Sequence, residues 1–162
     1  MSPRHAMRGF TLIELVITVA LVGLLAALVV PTAELAVKRS KEIELRLALR
    51  DIRRAIDAYK QAVDEGRVIG KVGDSGSGYP PTLSLLVDGV DDARSPEKRK
   101  IYFLRRMPRD PMFIDAERPA AETWGLRSYA SEPDAPVEGA DVFDVYSSSS
   151  ALGINGVAYS KW

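Results

Sequence analysis

Cysteine is absent from the 162 residues, and histidine occurs once, at His5. A chain without cysteine cannot build a disulfide, a thiolate metal site or a cysteine nucleophile, whatever its redox compartment. Ser-His-Asp chemistry or an imidazole zinc site would have to rest on His5 alone. An excess of either charge is lacking too: Lys+Arg 22 stand against Asp+Glu 22. The formal net charge of +0 gives no global pull toward nucleic acid or an acidic surface, and no nucleic-acid partner is expected. Aromatic residues make up only 7%, while 46% hydrophobic and 27% charged are ordinary values for one folded domain.

What the chain does have is a long apolar run near its start. A short basic stub carrying Arg4 and Arg8 leads to Gly9, and residues 10–30 follow with no Lys or Arg among them. As a helix this run reaches about 31 Å, one hydrocarbon core, so it predicts a membrane helix. The basic stub would stay on the cytoplasmic side. An ordinary secretory signal is cut after its apolar core. Here the plausible cut lies before the core, at Gly9, and would leave the helix on the mature chain together with the loss of His5.

Glu14 interrupts the run. A carboxylate at the centre of a membrane helix costs about 2.5–3.5 kcal/mol, and less near an end. Two readings stand: Glu14 snorkels to the headgroups, or it finds a cation. A cut after Gly9 would create one, the α-amino group of Phe10, in the same chain or in a neighbouring subunit.

The string Arg8-Gly9-Phe10-Thr11-Leu12-Ile13-Glu14-Leu15 resembles the processing site of type IV prepilins and type II secretion pseudopilins. The resemblance implies cleavage between Gly9 and Phe10 by a prepilin peptidase, methylation of the Phe10 amine, and a role for Glu14 in subunit docking. Pro31 matches a proline common in these helices. It removes a backbone hydrogen bond, so it either kinks or locally melts the helix or simply breaks it at the membrane edge.

Beyond residue 33 the pattern turns amphipathic. Leu45, Leu49, Ile52, Ile56, Tyr59 and Val63 share one helical face, with Lys41, Glu42, Arg46, Arg50, Arg53, Arg54 and Lys60 opposite. Glu42 and Arg46 are spaced for an i,i+4 ion pair. Gly66 is the expected stop. The basic positions are interspersed with acids and lack an aromatic platform, which argues for a solvated or subunit-facing surface rather than nucleic-acid binding.

Residues 66–78 are glycine-rich and polar and predict a loop; Gly70-Lys71 lacks the rest of a phosphate-binding motif. Two short helices are expected next, one capped by Thr82 and one starting at Ser95-Pro96-Glu97 with Ile101, Tyr102, Phe103 and Leu104 on its apolar face. Strands are expected over residues 127–131, 142–146 and 157–159, forming a small antiparallel sheet against the helix. Trp124 and Trp162 are expected as core or interface anchors. No carboxylate pair or Ser147–Ser150 base can be assigned to a cleft, so the sequence points away from an enzyme.

The predicted architecture is therefore α+β: a leader peptide over 1–9, a transmembrane or filament-core helix over 10–33, an amphipathic helical half over 34–65, and a globular head over 66–162. The head resembles major pseudopilins of type II secretion in its Tyr-Pro-Pro-Thr-Leu, Pro-Arg-Asp-Pro, Trp-Gly-Leu-Arg-Ser-Tyr and Asp-Val-Phe-Asp-Val-Tyr-Ser segments and its Trp162. In such relatives the last loop binds calcium. Residues 147–156 here contain no carboxylate, and calcium wants six to eight oxygens with at least one. Asp144, Ser147 and Asn155 are the candidate ligands, against the expectation that hydrogen bonds hold the loop and no cofactor is carried.

The resemblance implies a structural subunit of a secretion pseudopilus. Its partners would be copies of itself, minor pseudopilins, the peptidase, and an inner-membrane platform driven by a cytoplasmic ATPase. Its head would lie in the periplasm. The alternative is a major or minor pilin of a type IV pilus, which the absence of a cysteine pair disfavours.

Overall fold

The structure, a computed structural model, describes residues 10–68, 76–97 and 99–162, and the side chains of all of these except residues 28–31. Helix α1 spans Leu12–Asp64. The chain divides after Arg39 into two compact units, beyond the compositional change at residue 33.

In the first unit, Leu12, Ile13, Leu15, Val16, Val19, Val22, Leu24 and Leu25 are all more than half exposed. No described residue buries them, and α1 is long and apolar enough to cross a membrane. Thr18 satisfies its hydroxyl by donating to the Leu15 carbonyl at 2.8 Å, so its proton does not face the apolar surroundings unpaired.

In the second unit the stripe is buried as its spacing predicts. Leu45, Ile52 and Ile56 are wholly inaccessible, Leu49 and Tyr59 nearly so, and Ala48, Ala55 and Ala62 fill the gaps between them. Each large aliphatic side chain removed from water contributes about 1.5–3 kcal/mol. The helix ends at Gly66, whose φ of 68 suits a residue without a Cβ. The amides of Gly66 and Arg67 close back on the carbonyls of Val63 and Ala62 at 2.9 and 2.8 Å, the double-bonded C-terminal motif glycine permits.

Against this stripe lie two small antiparallel sheets in place of the single expected one. Strands β1 (Val90–Asp91) and β2 (Lys100–Ile101) pair with each other, as do β3 (Trp124–Arg127) and β4 (Asp144–Ser147). Helix α2 covers Ser84–Asp88. Its N-cap is Leu83 without a side-chain bond, so Thr82 does not cap it.

The helix expected from Ser95-Pro96-Glu97 does not form. Ser95, Pro96 and Glu97 are not helical, the Asp92 amide donates to the Arg99 carbonyl at 2.9 Å, and Lys100 and Ile101 enter β2. Of the apolar residues that suggested a helical face, Ile101, Phe103 and Leu104 pack on the core while Tyr102 is exposed. Residues 157–159 form no strand either. Leu152 and Ala158 make an isolated bridge and Tyr159–Lys161 is a 3-10 turn.

Gly125 sits opposite Tyr146 in the β3–β4 register. A Cβ there would lie 2.3 Å from the Tyr146 ring, so the glycine of the Trp-Gly pair leaves the space the ring occupies. Trp124 is buried and donates its indole N–H to the Pro108 carbonyl at 2.9 Å.

Candidate functional site

The start of α1 is built by a cap. Thr11 precedes the first helical residue; its Oγ1 accepts from the Glu14 amide at 3.3 Å and its carbonyl from the Leu15 amide at 3.2 Å. Thr-x-x-Glu before an apolar run is a helix-start signature. Glu14 thus lies in the first turn, where the helix dipole favours negative charge. Its side chain is exposed and has no hydrogen-bond or ion-pair partner among the described residues. Phe10, 82% exposed, stands just before the cap. The arrangement presents one unpaired carboxylate at the edge of an uncovered apolar helix, a place for one cation.

Gly9 lies outside the described residues. Helix α1 runs unbroken through position 31, so the plain helix break read at Pro31 is not found; the Pro31 side chain is also outside the described set.

At the other end of the chain, the three candidate calcium ligands are not gathered. Asp144 accepts from Arg53 Nε at 2.7 Å and its own Val145 amide at 2.8 Å on one oxygen, and from Arg127 at 3.5 Å on the other. Ser147 donates to Asp110 at 2.6 Å. Asn155 accepts from the Val157 amide at 3.1 Å. Among the described residues no group of three or more His, Cys, Asp or Glu is arranged to hold a metal ion.

Carboxylates at three other positions fasten the head. Buried Glu42 accepts from the Ile154 amide at 2.7 Å and the Tyr159 hydroxyl at 2.9 Å on a single oxygen. Buried Asp110 accepts from Ser147 and, at 2.8 Å, from the Met112 amide, while its own amide donates to Thr123 at 3.1 Å. Buried Asp141 accepts from Ser128 at 2.7 Å and the Tyr129 amide at 2.9 Å. Burial, and after it the Glu42 carboxylate, pushes the Tyr159 hydroxyl up to about 12.

These contacts correct the reading of the basic helix face. Glu42 is not paired with Arg46 at the surface; it is buried beneath the last loop. The Arg46 guanidinium instead lies over the Trp162 ring, 4.4 Å from its centroid. Arg53 reaches Asp144 and the carbonyls of Val145 and Trp162. Only contacts across more than ninety residues expose these roles, and i,i+4 spacing carries no trace of them. The Pro-Arg-Asp-Pro segment also acquires a purpose: Arg109 caps the carbonyls of Arg118 and Asp115, and Asp110 fastens β4.

Residues 4–30 match the family described as the prokaryotic N-terminal methylation motif. Over 115 residues the chain is 30% identical to the type II secretion system core protein G of Klebsiella michiganensis, an alignment covering 67% of this chain and 70% of that one. No solved structure matches the chain. The pilus alternative gains nothing from these matches. With a helix-capped acidic N-terminus, an uncovered apolar helix and a small α+β head of the type IV pilin fold, the chain belongs to the G-type major pseudopilins of type II secretion.

Proposed function

We propose that this chain is a structural subunit of a secretion pseudopilus, cut between Gly9 and Phe10, methylated on Phe10, and polymerised out of the inner membrane. The observation that carries the reading is the unpaired Glu14 carboxylate in the first turn of an otherwise apolar, uncovered helix. Leaving such a group unpaired in apolar surroundings is costly, so a subunit gains when Glu14 meets the Phe10 amine of its neighbour. The same uncovered side chains that face lipid before assembly face other helices afterwards, so apolar surface stays out of water throughout. The head would stand in the periplasm, with minor pseudopilins, the peptidase and an ATP-driven membrane platform as partners. ATP hydrolysis by that platform, rather than any reaction in this chain, would supply the work.

No enzyme activity and no resident metal are proposed. The last loop is held by Glu42 and by the Ser147–Asp110 bond, and the Asp144 oxygens face guanidinium groups.

Deleting the chain from its native host tests the reading. Loss of secreted proteins with surface pili and twitching intact is the expected result; loss of pili with normal secretion would move the protein to the pilus branch. Mass spectrometry of the mature chain should find N-methylated Phe10 at its start.

A further inference from the structure

The face of α1 that rises beside the C-terminal segment forms an open groove. Arg46, Arg50, Arg53 and Arg54 line it, with Trp162 as its apolar wall and Asp57 at one end. Arg53 is neutralised by Asp144 and Arg46 is spread over the Trp162 ring. Arg50 and Arg54 are exposed and have no partner, not even neighbouring Asp51 or Asp57, within ion-pair distance among the described residues. The groove therefore keeps two uncommitted guanidinium groups beside an aromatic surface, a setting suited to carboxylates.

The same head carries the complementary object. Residues 131–140 contain Glu132, Asp134 and Glu138 and no Lys or Arg. All three acids are exposed, and Val137 between them is 61% exposed. The loop is fixed by Pro133 and Pro136 and by the bond from the Ser128 amide to the Val137 carbonyl at 3.0 Å. A stiffened loop loses little freedom on docking.

Within one copy the two features stand at different levels of the helix and on different faces. Tyr129, at the base of the loop, stacks on Tyr79, and Lys60 lies over the Tyr79 ring, which sets the loop near the level of Lys60. From Arg50 to Lys60 a helix rises about 15 Å and turns to a face about 80° away. A contact between two different patches is heterologous, and its repetition gives a ring or an open helical array rather than a two-fold dimer.

We infer that the acidic loop over residues 131–140 of one subunit docks into the Arg50/Arg54 groove of another copy of this chain. It sets the stagger between neighbouring heads, while Glu14 acts at the helix ends. This rests on the polymer reading above. Charge complementarity of this kind fixes register and excludes misaligned partners.

The absence of cysteine makes the contact directly mappable. Full-length Arg54→Cys and Glu138→Cys chains would be co-expressed in the native host and treated with a short bis-maleimide. The expected result is a mixed dimer of the two, with no comparable dimer between Arg54→Cys and a control Tyr102→Cys chain. In parallel, R50E/R54E and E132R/E138R chains should each lose most of their filament, tenfold or more, at normal membrane levels, and the chain carrying both pairs should recover it. Filaments that form normally from either charge-reversed chain, or that form without the mixed cross-link, would overturn the docking surface and leave the polymer reading standing. No filament from the unaltered chain would overturn both.

Discussion

The hydroxyl of Tyr159 donates to the carboxylate of Glu42 at 2.9 Å, joining the 3-10 turn at Tyr159–Lys161 to the middle of α1 across 117 residues. Because the Ile154 amide ends on the same oxygen at 2.7 Å, one carboxylate holds both arms of the C-terminal loop. Glu42→Ala should leave one buried and one part-buried donor unsatisfied and destabilise the head by about 2–3 kcal/mol, against about 1 kcal/mol for Glu42→Gln, which keeps an acceptor. Thermal melts of the two variants check the ordering.

Tyr159 makes the head sensitive to alkali. Its hydroxyl is pushed from 10.0 up to about 12 by burial and by Glu42, so the folded protein holds the proton that the unfolded chain releases. The stability this gives is complete below pH 10 and is lost as pH climbs toward 12. Burial raises Tyr59 and Tyr79 as well, so Tyr159→Phe should flatten the alkaline limb without abolishing it. Denaturant midpoints recorded between pH 9 and 12 would show the change in slope.

Chelators should leave the melting temperature of the head unchanged, since guanidinium groups already occupy the carboxylate of Asp144. Asp144→Asn should instead cost about 1 kcal/mol by loosening half-exposed Arg53, and added calcium should not restore it. A chelator that lowered the melting temperature by many degrees would contradict this.

Glu14→Ala should insert into the membrane at normal levels and yield little filament. Glu14→Gln separates charge from hydrogen bonding: if pairing with an amine is what matters, it should fail almost as badly. Shear-released filament per membrane-bound subunit is the measurement.

Ile52→Ala, in the wholly buried part of the stripe, should cost about 2–4 kcal/mol, whereas Ile43→Ala, at an exposed position on the same helix, should cost little. Urea denaturation of each variant tests whether the stripe is the core.

The long helix was readable because its apolar residues repeat with the helical period and because Gly66 ends it. The Thr11 cap was readable in principle, since Thr-x-x-Glu stands in the sequence, but Glu14 drew attention to its charge rather than to its place in the first turn. Glu42 was not readable. An acid four residues before Arg46 looks like a surface pair, and only the return of the chain at Ile154 and Tyr159 buries it. Ile101 to Leu104 misled for a different reason: four adjacent large side chains carry no period of their own. Their backbone bonds to Val90 and Leu86 decide the structure, not local propensity.

The bond between Glu42 and Tyr159 also imposes an order on biogenesis. The stripe at Leu45, Ile52 and Ile56 cannot be sealed until residues near Tyr159 have left the ribosome. By then the apolar helix, made more than a hundred residues earlier, has had the synthesis of the head in which to find the bilayer. Anchoring before folding is thus written into the distance along the chain between a carboxylate and a phenol, and on the proposed polymer reading a subunit released early from synthesis would be tethered but headless, with nothing to seat against its neighbours.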